Sequence, residues 1–125
     1  MQSEPALIKK VLFIIRSGPF DGLKAREAID AVLATAAFEQ HVTVHFQDEG
    51  VRLLNRDMNP EALKSKNLGK MIKAFGMYGV SSISVSTGDC KRYNCSPENA
   101  VTTFTTLDQN GVRELIANQD VTLVF

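Results

Sequence analysis

The most continuous apolar stretch of this chain is Val11–Ile15, which breaks at Ser17-Gly18-Pro19 and is followed by a helical pattern up to Phe38. An apolar run this short, β-branched at three positions and bounded by turn residues, is typical of a strand buried on both faces. Such a strand lies inside a parallel sheet and is usually followed by a crossover helix. We therefore predict that Val11–Ile15 is an interior strand.

The segment after this strand has helical periodicity from about Asp21 or Gly22 to Phe38. Asp21 is a suitable N-cap, because its carboxylate can accept hydrogen bonds from the free amides of the first turn. Arg26 and Asp30 are four residues apart, which favours an exposed ion pair with little effect on stability. The predicted buried stripe consists of Leu23, Ile29, Val32, Leu33, Ala36 and Ala37.

The middle of the chain repeats the alternation of strand and helix. His41–Phe46 is predicted to be the second strand, and an apolar segment follows at Val51–Leu54. Asn59-Pro60-Glu61 is a typical helix start, and this helix is predicted to end near Gly76 or Gly79. Its inward residues are predicted to be Leu63, Leu68, Met71, Ile72 and Phe75.

The last third of the chain adds three more strands and one helix. Strands are predicted at Ser82–Ser86, Val101–Leu107 and Val121–Phe125, with an irregular segment at Thr87–Asn99. The helix Asp108–Asn118 would turn Val112, Leu115 and Ile116 inward. Residues 1–125 are thus expected to form one α/β layered domain with five strands in a mostly parallel sheet and three main helices.

Composition narrows the classes of function. The chain has 125 residues, with 14 Lys and Arg balanced by 14 Asp and Glu. A net charge of zero argues against direct nucleic-acid binding and makes stable association between subunits more plausible. No signal-peptide pattern or membrane-spanning run is present, and two cysteines are too few for a disulfide framework. We therefore expect a cytoplasmic protein with reduced thiols and no membrane partner.

Three predicted loops lie where parallel α/β sheets bind ligands, at the carboxyl ends of strands: 16–22, 47–50 and 86–94. Flavin or nucleotide binding is disfavoured, because the first loop offers Ser17 alone as a hydroxyl and Asp21 would repel a phosphate. His41 and His45 share a strand face but would lie about 13 Å apart, too far to chelate one metal ion. No cofactor or metal site is expected.

Cys90 is the only candidate nucleophile. A thiol beside Lys91 and Arg92 in an exposed loop could have a lowered pKa and exist partly as thiolate. The spacing to Cys95, however, is neither a zinc knuckle nor a Cys-x-x-Cys redox motif. Ordinary loop cysteines are therefore the favoured interpretation.

Several segments together resemble one family. They are Pro19, the helical Arg26–Thr35, the Glu49-Gly50-Val51 turn with Leu53-Leu54, the stretch Arg113–Val121, and Phe125. In order and spacing they are similar to the TusC/DsrF branch of the DsrE/DsrF/DsrH-like proteins. The likeness covers nearly the whole chain from Lys9 onward.

This resemblance implies a three-layer α/β/α fold, a DsrE/F-like domain with a five-stranded parallel sheet. It implies a heterohexamer with homologous TusB-like and TusD-like subunits that passes persulfide sulfur between donor and acceptor proteins for 2-thiolation of the tRNA wobble uridine. The sulfur-carrying cysteine of that family belongs chiefly to the TusD/DsrE subunit, at the end of its third strand, where this chain aligns Val85 or Ser86. The resemblance therefore implies a non-catalytic subunit. The alternatives are a DsrF-like subunit in sulfur oxidation, or a sulfurtransferase that uses Cys90.

Overall fold

The computed structural model describes residues 8–56 and 68–125. Its strands are β1 (Lys10–Ile15), β2 (His41–Phe46), β3 (Val80–Ser86), β4 (Thr105–Leu107) and β5 (Val121–Val124). Its helices are α1 (Lys24–Ala37), α2 (Leu68–Lys73), α3 (Thr87–Arg92) and α4 (Gln109–Ala117), and a 3-10 helix spans Asp48–Leu54. The predicted helix start at Asn59-Pro60-Glu61 and its inward Leu63 lie outside the described residues.

The five strands form one sheet in the order β4-β3-β2-β1-β5. All four strand pairings are parallel, and β1 lies between β2 and β5. Every residue from Val11 to Ile15 is buried. The predicted interior strand and the α/β fold with a five-stranded parallel sheet are therefore confirmed.

One face of the sheet carries the hydrophobic core. Phe13 is fully buried there, and its ring lies 6.0 Å from that of Phe125 in a stacked arrangement. The core continues into α1, the 3-10 helix and the α2 region, where Leu68, Ile72 and Phe75 are buried as predicted. This core holds the carboxyl ends of β1, β2 and β3 in fixed positions relative to one another.

Helix α1 begins later than the sequence predicts, at Lys24. Asp21 is not its N-cap: the Asp21 carboxylate accepts a hydrogen bond from the Gly18 amide at 2.7 Å and so stabilises the loop before the helix. Leu23, predicted to be inward, is 73% exposed because it precedes the first helical turn. The Arg26–Asp30 pair is exposed at 3.5 Å, as predicted.

The segment after β3 differs most from the prediction. Thr87–Arg92 forms helix α3 instead of an irregular loop, and the fourth strand shortens to Thr105–Leu107. Helix α4 matches its predicted position, but none of its residues is fully buried and Ile116 is 41% exposed. Of the three residues predicted to be inward, Val112 and Leu115 are half-buried, whereas the prediction for Ile116 is wrong.

The second face of the sheet is more polar. The side chains of Thr43, His45 and Ser84 are buried there, and the His45 Nδ1 atom lies 2.7 Å from the Ser84 hydroxyl. His41, four residues earlier on the same strand, is exposed. The described residues contain no group of three or more His, Cys, Asp or Glu side chains that could hold a metal ion.

Among residues 8–56 and 68–125, the His45 Nε2 atom has no hydrogen-bond partner. Burial lowers the pKa of His45 to about 4, against a smaller opposing effect of the Asp89 carboxylate. A neutral imidazole is the form that such a buried site tolerates. Protonation of His45 therefore opposes folding.

We predict that replacing Phe13 with Ala lowers the free energy of unfolding by about 3–5 kcal/mol, because it leaves a cavity in the core and removes the contact with Phe125. Urea unfolding followed by circular dichroism measures the change. Phe38→Ala is the matched control: Phe38 is 77% exposed, so its removal should change stability by roughly 0.5 kcal/mol or less. Equal losses in the two variants would contradict the assignment of Phe13 to the core.

A second prediction concerns pH. The unfolded chain protonates His45 near its ordinary pKa of 6.5, whereas the native protein does so only near 4. The native state therefore loses stability relative to the unfolded state as the pH falls from about 6.5 to 4, by up to about 3 kcal/mol from this group.

The test compares urea unfolding at about pH 7 and pH 4.5 for the native sequence, His45→Gln and His41→Gln. His45→Gln should flatten the pH dependence, whatever its own stability at neutral pH, and His41→Gln should keep it. An unchanged slope in His45→Gln would show that His45 does not carry this pH dependence.

Candidate functional site

The three loops singled out from the sequence meet at the carboxyl edge of the sheet. The Arg16 guanidinium, after β1, lies 2.8 Å from the carboxylate of Asp48, after β2. The backbone amide of Asp48 donates a hydrogen bond of 2.7 Å to the carboxylate of Asp89, in α3 after β3. Polar contacts therefore join the ends of all three strands into one surface.

Two glycines allow the first two loops to approach closely. A Cβ atom at Gly50 would lie 2.1 Å from the carbonyl oxygen of Ile15, and one at Gly18 would lie 2.8 Å from Glu49. The Gly50 amide donates to the carbonyl of Arg16 at 3.1 Å. A larger residue at either position would force the backbone apart, so glycine is required for this packing.

Glu49, between these loops, accepts two hydrogen bonds at 3.0 Å, from the Arg52 guanidinium and the Tyr93 hydroxyl. The hydrogen bond from Arg52, together with that from Tyr93, holds the pKa of Glu49 below its usual value. The Arg52 guanidinium also lies 5.0 Å from the centre of the Phe20 ring and 5.9 Å from that of Tyr93. This cluster orders the edge and keeps the carboxylate paired.

A cavity of about 590 Å³ lies at the same edge, between the strand ends and α4. Ile14 and Val112 provide apolar walls, while Gln47, Ser86 and Arg113 provide polar ones. Parallel α/β sheets bind ligands at this edge of the sheet, so the cavity is the candidate site. Its lining contains hydroxyl, amide, carboxylate and guanidinium groups but neither cysteine.

Ser86 is the last residue of β3, and Thr87 begins α3. Both line the cavity, so the end of the third strand faces the candidate site. A side chain at this position is placed to react with a molecule in the cavity. Here it is a hydroxyl, and no His lines the cavity to act as the base that a hydroxyl nucleophile requires.

The cysteines occupy a different structure, the C-terminal cap of α3. The Cys95 amide donates to the Cys90 carbonyl at 2.9 Å, and the Asn94 amide donates to the Lys91 carbonyl at 3.3 Å. Asn94 has a positive φ of 52°. This pair of bonds around a left-handed residue is the Schellman motif, in which the first and last residues commonly make an apolar contact. In this chain, the two cysteines provide that contact.

The two thiols lie in different environments, and Cys90 lies in a helix instead of an exposed loop. Cys90 is half-buried in a helix, and its thiol donates to the carbonyl oxygen of Cys95 at 2.9 Å. Cys95 is buried, and burial, together with the neighbouring Cys90 thiol, raises its pKa to about 12. Lys91 and Arg92 therefore do not activate Cys95.

Some residues of the site were not found from the sequence. Tyr93 and Glu49 are 44 residues apart, and no local pattern signals their hydrogen bond. The role of Gly50 was detectable in part, because a glycine directly after an acidic pair at a strand end marks a tight turn. The cavity depends on how α4 crosses the sheet, which local periodicity does not specify.

Comparison with known proteins agrees with this architecture. The chain is 31% identical over 112 residues to a TusC homologue of Pseudomonas aeruginosa, covering 90% of this chain and 94% of that protein. It is 29% identical to the TusC protein of Escherichia coli O8, covering 94% of this chain and all of that protein. Among solved structures, the ychN protein of E. coli superposes with a TM-score of 0.81 at 12% identity, covering 94% of this chain and all of that one.

A second solved structure, a protein of unknown function from Methanobacterium thermoautotrophicum, has a TM-score of 0.69 at 15% identity, covering 94% of this chain and 99% of that one. At such identities the structural likeness concerns the fold alone. The sequence model of the DsrE/DsrF-like family, by contrast, matches residues 9–125. The chain belongs to the DsrE/DsrF-like family.

Proposed function

We propose that this chain is a TusC-like, non-catalytic subunit of a cytosolic sulfur-relay complex that supports persulfide transfer for 2-thiolation of the tRNA wobble uridine. Its partners are homologous TusB-like and TusD-like subunits, with which it forms a heterohexamer. Sulfur donor and acceptor proteins reach the chain through that complex, and the chain itself does not bind nucleic acid. The likeness to TusC proteins over more than 90% of their length supports this assignment.

The residues that line the cavity support the proposal that this subunit is non-catalytic. Persulfide transfer needs a thiolate that can attack a donor sulfur and then present the bound sulfur to an acceptor. The end of β3 places Ser86 and Thr87 at the cavity, and neither can carry a persulfide. Cys90 and Cys95 instead contact each other in the cap at the far end of α3.

The surface near β5 supports a role within an assembly. β5 is an edge strand with a partner on one side, and Val121 and Leu123, which share one face of this strand, are 36% and 41% exposed. Neighbouring exposed apolar side chains on a folded surface commonly mark an interaction site, and unprotected strand edges invite pairing. None of the described helices is long and apolar enough to cross a membrane.

The alternative is that Cys90 itself carries persulfide. It rests on the partial exposure of Cys90 and on the two basic residues that follow it. The two functions make opposite predictions for variants that lack thiols.

We predict that the double substitution Cys90→Ser, Cys95→Ser leaves complex assembly and wobble-uridine thiolation essentially intact, because neither thiol faces the cavity. The measurement is the 2-thiouridine content of tRNA from cells that lack the native subunit and are complemented with the variant. Co-purification of the partner subunits from the same cells reports assembly.

Single Ser variants and the empty vector are the controls. Loss of thiolation with the complex still assembled would contradict the non-catalytic assignment and identify a cysteine as a sulfur carrier. Loss of both assembly and thiolation would also count against the proposal that these cysteines can be removed without harm to the relay. In that case Cys90→Ala with Cys95→Ala, which keeps the apolar character of the cap contact, decides whether the hydroxyls caused the loss.

A further inference from the structure

The geometry of the α3 cap points to Cys90 and Cys95 as a peroxide-sensitive pair that can form a reversible internal disulfide. This inference goes beyond the proposed relay function and does not depend on it. It assigns a modification site to two residues that the proposed relay does not use.

The backbone conformation at the end of α3 places Cys90 next to Cys95. The hydrogen bond from the Cys95 amide to the Cys90 carbonyl, at 2.9 Å, closes the Schellman motif and draws the two residues together. The Cys90 thiol already contacts the Cys95 carbonyl oxygen at 2.9 Å. Disulfides require α-carbons about 4.4–6.8 Å apart. The two hydrogen bonds between Cys90 and Cys95 place these residues next to each other across the turn.

The two thiols have unequal access to an oxidant. Cys90 is half-buried, whereas Cys95 is 7% exposed. A small oxidant such as hydrogen peroxide therefore reaches Cys90 first, and Cys95 is held beside it as the resolving thiol. Redox-sensitive cysteines in proteins are commonly arranged in this way, with an accessible thiol next to a resolving one.

The reaction balances with peroxide as the only added reagent. The Cys90 sulfur attacks one peroxide oxygen, the O–O bond breaks, and sulfenic acid and water form. The Cys95 sulfur then attacks the Cys90 sulfur and displaces the sulfenic hydroxyl, which leaves as a second water with the Cys95 proton. Two thiols are thereby oxidised to one disulfide, and one peroxide is reduced to two waters.

The bond would fix the end of α3 that supports the carboxyl edge. Tyr93 lies three residues after Cys90, and its hydroxyl donates a hydrogen bond to Glu49. The Tyr93 backbone carbonyl accepts a hydrogen bond from the side-chain amide of Asn55 at 3.2 Å. A disulfide across the cap removes the Cys90 thiol hydrogen bond but keeps the backbone turn that positions Tyr93. Oxidation should therefore be compatible with the folded protein.

The experiment treats the reduced, folded full-length chain with hydrogen peroxide, removes the excess with catalase, and labels all remaining thiols with N-ethylmaleimide after denaturation. Intact mass spectrometry should show an unlabelled monomer that has lost two hydrogens, and proteolytic mapping should join Cys90 to Cys95. Treatment with dithiothreitol before labelling should restore both labels.

Two single variants test the order of events. Cys95→Ser leaves Cys90 without its resolving thiol, so dimedone should trap a sulfenic acid there. Cys90→Ser leaves the buried Cys95, which should keep its label under the same conditions.

Several results would overturn the inference. They are retention of both labels in the native sequence, loss of thiols only through disulfide-linked dimers, and over-oxidation of Cys90 with Cys95 still free. The mass measurement uses the native sequence. It therefore tests the inference even if one of the single variants does not fold.

Discussion

The close approach of Gly50 to the end of β1 is the contact on which the carboxyl edge of this sheet depends. A Cβ atom at Gly50 would lie 2.1 Å from the Ile15 carbonyl oxygen, so only glycine allows the 3-10 helix to begin there. The Gly50 amide donates a hydrogen bond to the Arg16 carbonyl, which fixes the start of the 3-10 helix against the end of β1. From that position Asp48 can reach both Arg16 and α3.

The hydroxyl groups at the cavity and the two thiols lie at different ends of α3. The cavity at the edge is lined at the end of β3 by Ser86 and Thr87, while the thiols lie at the other end of α3. The cysteines serve the fold directly, because they provide the apolar contact of the Schellman motif. A cavity without a thiol is consistent with the proposed subunit that supports chemistry on a neighbouring chain. The exposed apolar residues on the edge strand β5 are consistent with contacts to other subunits.

The sequence predicted the sheet well, because buried parallel strands leave a strong signal. Val11–Ile15 has no polar alternation, and His41–Phe46 matches the observed strand at both ends. Local capping signals were less reliable. Asp21 looked like an N-cap, but the Gly18 amide three residues earlier competes for its carboxylate, and the helix begins without a side-chain cap.

The cavity and the cysteine contact were harder to predict for physical reasons. The spacing of Cys90 and Cys95 matches no metal or redox motif. The two residues meet because the backbone turns at Asn94, which has a positive φ. Asparagine tolerates that conformation better than most residues, which is the one local clue. The cavity arises from long-range packing of α4 against strand ends far away in sequence, and no short window of residues encodes it.

The proposed place of this chain in a hetero-oligomer can be tested through the mass of the complex. The chain should be co-expressed with the TusB-like and TusD-like chains of its own organism, purified through a tag on one partner, and weighed by native mass spectrometry. We expect one complex that contains all three chains in equal numbers, with two copies of each. A partner complex that forms without this chain, while the chain purifies alone, would show that the chain is not a constituent of it.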